Sequence, residues 1–137
     1  MIIDHIAIVV KDLEAAIDLY TKTLGFRPAY REIVEDQGVE AVGLEAGESM
    51  IELLRPLNED SSIAKFRGEA ATKFHHTAYR VDDLETKLAD LKSKGVRLID
   101  ERPRKGAHGN LIAFVHPQSS GGVLIELCQR DDTANAR

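Results

Sequence analysis

The chain has a single cysteine, Cys128, which excludes an internal disulfide and any thiolate metal cluster. Cys128 sits in the apolar run V-L-I-E-L-C and reads as a small buried hydrophobe. One cysteine suits a reducing compartment. No apolar run approaches the ~18 residues that a membrane-spanning helix requires, and M-I-I-D-H lacks the pattern of a secretory leader, so the cytoplasm is the expected location. Positive charge is scarce as well. Lys and Arg number 18 against 23 Asp and Glu, a net charge of -5, whereas a nucleic-acid partner demands a clustered basic surface. Small anionic metabolites stay open, because a few local Lys and Arg suffice to hold them. The composition, 43% hydrophobic and 30% charged, is that of an ordinary globular protein, and 137 residues fit one compact domain.

What is present is a repeat. Residues 4–15, D-H-I-A-I-V-V-K-D-L-E-A, lie over residues 75–86, H-H-T-A-Y-R-V-D-D-L-E-T, with six of twelve positions identical at an offset of 71. His5 falls on His76, Asp12 on Asp83 and Leu13 on Leu84. Gly25-Phe26 precedes Gly95-Val96 by 70 residues, and Ile51-Glu52-Leu53 precedes Ile125-Glu126-Leu127 by 74. Two copies are too few for a solenoid, so they are expected to pair about a pseudo-two-fold axis. The boundaries are one module over about 1–58, a linker with a short helix over 59–73, a second module over about 74–130, and a disordered tail over 131–137.

Each module reads as strand, helix, three strands, an α+β arrangement. Residues 2–10 are β-branched and apolar; Asp12 then caps a helix with an apolar stripe of Leu13, Ala16, Ile17, Tyr20 and Leu24, stopped by Gly25. Strands are expected near 26–33, 39–46 and 49–56. In the second copy a strand over 74–81 leads to a helix capped by Asp82 or Asp83, with Leu84, Leu88 and Leu91 inward and Gly95 at its end. Strands then follow near 96–101, 111–115 and 122–129, and a short helix over about 62–67 joins the modules.

Each copy places a histidine on its first strand and a glutamate on its last. A glutamate in an apolar strand is costly to bury unless paired or metal-bound, and here two are related by the repeat. If the copies pack symmetrically, His5, Glu52, His76 and Glu126 converge. Two neutral imidazoles and two carboxylates make a neutral set for one divalent ion, suited to Co, Ni, Zn or Mn rather than Ca. His75 alternates to the other side of its strand, and His108 and His116 have no repeat partner, so these three are left outside the set.

At these residues the chain resembles the vicinal oxygen chelate superfamily (glyoxalase/bleomycin resistance/dioxygenase), in which paired βαβββ modules form an open, barrel-like sheet around a metal. Within it the methylmalonyl-CoA epimerases resemble the chain most. The segments are 4–16, Q-G-V at 37–39, I-E-L-L-R-P-L at 51–57, S-I-A-K-F at 62–66, F-H-H-T-A-Y-R-V-D-D-L at 74–84, K-G-A-H-G-N at 105–110 and F-V-H-P-Q-S-S-G-G-V-L-I-E-L at 114–127.

The resemblance implies metal ligands at His5, Glu52, His76 and Glu126, with Co2+ ahead of Ni2+, Zn2+, Mn2+ or Mg2+. It also implies an acyl-CoA substrate, a homodimer, and a proton-transfer role for Glu126. A second base in some members lies just after Q-G-V. An ungapped match puts Ala41 there with Glu40 beside it, so the candidates are Glu40, Asp36 and Glu35. Ser119, Ser120 and Gly121 form either a seat for the substrate carboxylate or an ordinary turn. Arg102, Arg104 and Lys105 are either solvated charge or contacts to CoA phosphates. The competing functions are a glyoxalase I-type isomerisation, which shares the fold and the metal set, and a non-catalytic small-molecule-binding member.

Overall fold

The computed structural model describes residues 1–131; the expected tail beyond Asp131 lies outside the described residues. The chain divides into two compact units: His5–His75, here the first module, and Met1–Asp4 with the chain from His76 onward, here the second. The expected linker, including its short helix, belongs to the first unit. Among the described residues no helix is long and apolar enough to cross a membrane.

The first module contains β1 (Ile2–Val10, from His5 on), α1 (Leu13–Asp18), β2 (Arg27–Val34), β3 (Val39–Ala46), β4 (Ser49–Pro56) and α2 (Ser62–Arg67). Its strands lie in the order β2-β3-β4-β1, with β1 parallel to β4 and the other pairs antiparallel. The second module contains β5 (Thr72–Arg80, from His76 on), α3 (Leu84–Ser93), β6 (Arg104–Lys105), β7 (Leu111–Val115) and β8 (Ile125–Gln129). Its order is β5-β8-β7-β6, with β5 parallel to β8. Both modules are therefore βαβββ units whose first strand runs parallel to the last, as the repeat implies, and the fold class is α+β.

The helices are set by their caps. The Asp12 carboxylate accepts the Ala15 N–H at 3.0 Å, and Asp83 accepts the Thr86 N–H at 3.1 Å. Gly25 and Gly95 leave their helices at φ 86° and 78°, a left-handed conformation that costs glycine nothing. One departure is the last turn of the first helix. Leu19–Thr23 widens into a π-turn in which the Leu24 N–H reaches the Leu19 carbonyl at 2.9 Å. The widened turn rotates Leu24 out of the expected stripe, leaving it 57% exposed.

Each helix covers one face of its own sheet. In the first module Val10, Leu13, Val42, Leu44 and Leu53 are buried together, with Ala16, Ile17 and Tyr20 against them. In the second, Leu84, Leu88, Ala113, Val115 and Leu127 do the same, with Leu91 packed alongside. Each fully buried leucine contributes about 1.5–3 kcal/mol. The expected strand at 96–101 is replaced by a single bridge between Leu98 and Val115. The cause is a bulge: the Ile99 and Asp100 N–H groups both donate to the Phe114 carbonyl, while the Asp100 carboxylate takes the Phe114 N–H at 2.8 Å.

Candidate metal centres on the helix-free faces

Alternation along the strands puts the candidate residues on the sheet faces that the helices leave uncovered. In the first module Ala7 pairs with Glu52 and Gly43 pairs with Glu52, so His5, Ala7, Val9, Ala41, Gly43, Glu52 and Leu54 share a face. His5 is 6% exposed and Glu52 5%, and His5 Nε2 lies 3.8 Å from Glu52 Oε1. In the second module Ala78 and Phe114 both pair with Glu126, so His76, Ala78, Ile112, Phe114, Glu126 and Cys128 share a face. His76 is 1% exposed and Glu126 2%, with His76 Nε2 3.6 Å from Glu126 Oε1.

These separations exceed the 2.7–3.2 Å of an N–H···O hydrogen bond. Two ligands each about 2.1 Å from an ion stand roughly 3–3.5 Å apart, so each pair, at 3.8 Å and 3.6 Å, would close by only a few tenths of an ångström to share one. An imidazole nitrogen and a carboxylate oxygen are also the donor types a borderline divalent ion takes. Each module on its own therefore fits half of the expected donor set.

The sequence did not single out Tyr30. Its hydroxyl donates to Glu52 Oε2 at 2.7 Å. The ring reaches Glu52 by crossing over Gly43: a Cβ at position 43 would stand 2.3 Å from Tyr30 Cε1. An aromatic on one strand opposite a glycine on the next was the readable signal. The second module fills the corresponding place differently, with Phe114 directly opposite Glu126 and edge-on to His76, ring centroids 5.1 Å apart.

Other expected site residues fall elsewhere. Glu40 lies on the helix side of β3, where Arg31 Nε donates to it at 2.9 Å and Arg55 Nη2 at 2.7 Å. Those bonds, from Arg31 first and Arg55 second, hold its carboxyl below the usual carboxylate range. Glu35 and Asp36 are exposed in the short 3-10 turn after β2. Ser119 accepts the Arg97 N–H at 2.8 Å, and the Ser120 hydroxyl donates to the carbonyls of Pro117 and Val123. Both hydroxyls thus tie down the turn that enters β8, in which Gly121 takes φ 71°. His75 packs edge-on against Phe66, His116 Nδ1 accepts the Gln118 N–H, and His108 sits at φ 59° in a 3-10 turn. Arg104 pairs with Asp100 at 3.2 Å and lies over the Phe114 ring. Cys128 is fully buried beside Ala78, Ile112 and Phe114, as expected of a small hydrophobe.

The two-module βαβββ fold has its counterpart among known proteins. Residues 4–114 match the family model of the Glyoxalase/Bleomycin resistance protein/Dioxygenase superfamily, and the chain belongs to it. The ethylmalonyl-CoA/methylmalonyl-CoA epimerase of Cereibacter sphaeroides is 39% identical over 129 residues, spanning 93% of this chain and 96% of that one. The crystal structure of methylmalonyl-CoA epimerase from Mycobacterium tuberculosis superposes with a TM-score of 0.91 at 39% identity, over 98% of this chain and 91% of that one. The Streptomyces coelicolor methylmalonyl-CoA epimerase in complex with 2-nitronate-propionyl-CoA gives 0.88 at 37% identity, over 94% of each chain. Within the superfamily the chain belongs to the methylmalonyl-CoA epimerase family.

Proposed function

We propose that the chain interconverts the (R) and (S) epimers of methylmalonyl-CoA by proton transfer at C2 through an enolate, assisted by one divalent metal ion that His5, Glu52, His76 and Glu126 hold. The observation that carries the reading is the recurrence of a buried His–Glu pair, at 3.8 Å and 3.6 Å, on the helix-free face of each module. Membership of the epimerase family supplies the substrate class, an acyl-CoA thioester. The imidazole and carboxylate donors suit Co2+, Ni2+, Zn2+ or Mn2+, and Co2+ is the ion to load first. The same resemblance supports a homodimer working in the cytoplasm; sedimentation of the purified chain tests the dimer.

The chemical difficulty is that a proton between a thioester and a carboxylate is only weakly acidic. A divalent ion held by these four residues would supply positive charge against the negative charge that gathers on the thioester oxygen as the proton leaves. His5 and His76 serve as neutral imidazoles, each on a strand that fixes its direction. Tyr30 holds one oxygen of Glu52 and so orients the other. Glu126 lies opposite Phe114, and we assign it the proton-transfer role that the family resemblance implies. All four side chains are buried, so their charges act in surroundings of low dielectric. The Ser119–Ser120–Gly121 turn, rigid and leading straight into β8, is the proposed seat for the substrate carboxylate.

The test is incubation with methylmalonyl-CoA in heavy water, with and without Co2+. Metal-dependent incorporation of deuterium at C2 is expected. No exchange, together with turnover of a glutathione hemithioacetal, would replace the epimerase with a glyoxalase-type isomerase.

A further inference from the structure

Inversion at C2 needs two acid–base groups, one for each face of the carbon, and the reading above names only Glu126. We propose that Glu32 is the second, exchanging the C2 proton on the face that Glu126 does not serve. The inference rests on the epimerase reading.

The register of the first module selects it. β2 is interrupted by a shift between Pro28 and Tyr30, after which pairing with β3 is regular: Tyr30 opposite Gly43, Glu32 opposite Ala41, Val34 opposite Val39. Tyr30 lies on the helix-free face, because its hydroxyl bonds Glu52. Two residues further along the same regular strand, Glu32 presents itself on that face as well. Its neighbours on β2 and β3 are Tyr30, Val34, Ala41 and Gly43; the Tyr30 ring covers Gly43, and the residue directly opposite Glu32 is the small Ala41. Glu32 is half-buried.

The carboxylates on and beside these strands differ from Glu32 in face or position. Glu52 is the ligand, held by Tyr30 and facing His5. Glu40 is on the opposite face between two arginines. Glu45 shares the face but is exposed at the end of the β3–β4 hairpin, paired with Arg27 at 3.6 Å. Glu35 and Asp36 are outside the strands. Glu32 is the carboxylate that both shares the face and lies beside Ala41, whose Cα it opposes directly.

The step balances as a proton transfer. The ionised Glu32 carboxylate forms an O–H bond with the C2 proton of one epimer. The electron pair of the broken C–H bond becomes the C1–C2 double bond, and the carbonyl pair moves onto the thioester oxygen. A protonated Glu126 then releases its proton to C2 from the other face, and the electron pairs return. Solvent restores the two carboxyls to their starting protonation, and the opposite epimer runs the sequence in reverse.

The experiment uses the Co2+-loaded chain and each epimer separately in heavy water, following C2 deuterium and inversion together with bound metal. In Glu32→Gln, inversion should fall at least 100-fold, the scale of a lost general base. One epimer should still gain deuterium with retention through Glu126, and the metal content should be unchanged. Placing the carboxylate on the neighbouring strand, with Ala41→Glu in the Glu32→Gln background, should restore inversion at least tenfold, because directly opposed Cβ atoms stand about 5 Å apart. Inversion within threefold of the parent in Glu32→Gln, or loss of exchange from both epimers with metal still bound, would overturn the proposal. Absence of exchange by the unsubstituted chain would instead count against the epimerase reading itself.

Discussion

The two modules use one scaffold and finish it in opposite ways. In the first, Glu52 faces a glycine, and a tyrosine from the next strand crosses that gap to bond it. In the second, Glu126 faces a phenylalanine, Phe114, that can contact but not hydrogen-bond it. The strand beyond repeats the contrast: Glu32 opposite Ala41 in one module, Arg104 opposite Ile112 in the other. A duplicated βαβββ unit gives two geometrically equivalent His–Glu pairs. On the proposed reading the outer strands assign them different work, a ligand held by the Tyr30 hydroxyl in one module and a proton-transferring carboxylate opposite Phe114 in the other.

Exchanging each glutamate for its amide should break the equivalence most sharply. Glu126→Gln keeps an oxygen for the metal but has no carboxylate to carry a proton, so kcat should fall about 10²–10⁴-fold with metal retained. Glu52→Gln, which preserves both the oxygen and an acceptor for Tyr30, should stay within about tenfold of the parent. Equal losses in steady-state assays of the two variants would mean that the carboxylates are not specialised.

A smaller effect is expected from loosening the support of Glu52. Tyr30→Phe removes the hydroxyl and keeps the ring, and metal affinity measured by calorimetry should drop about 10–100-fold. Gly43→Ala drives a methyl into the same ring and should add a loss of about 1–3 kcal/mol in stability, read by urea denaturation. In the second module the residue opposite the glutamate is Phe114, whose ring carries no hydroxyl, so Phe114→Leu should change stability more than metal affinity.

The smallest change concerns the helix-side face. Glu40→Gln should leave epimerisation within about twofold, since Glu40 lies away from Glu52 and is bound by arginines. Its signature is instead in the acid range. The Glu40 carboxyl is held below its unfolded value of about 4.3, so the stability it contributes is complete above that pH and is lost as pH falls through its lower folded value. Thermal melts of Glu40→Gln and parent should differ at pH 7 and converge on acidification.

Much of this was legible in the chain itself, because caps and alternation are local. Asp12 and Asp83 announced their helices, β3, β4 and β7 run as read, and the repeat alone picked out His5, Glu52, His76 and Glu126. What was not legible depends on pairing across strands. The face of Tyr30 and Glu32 is set only after the shift between Pro28 and Tyr30, which no local pattern encodes. The segment 96–101 looked like a strand through Val96, Leu98 and Ile99. Asp100 overrides that by putting its side chain in the ladder in place of the backbone. Leu24 kept the helical spacing while the widened turn carried it outward.

Cobalt titration of the metal-free chain bears most directly on the central claim that one ion takes donors from both pairs. One Co2+ per chain is expected, with binding abolished equally by His5→Ala and by His76→Ala while circular dichroism stays that of the parent. Two Co2+ per chain, or tight binding that survives either substitution, would contradict it.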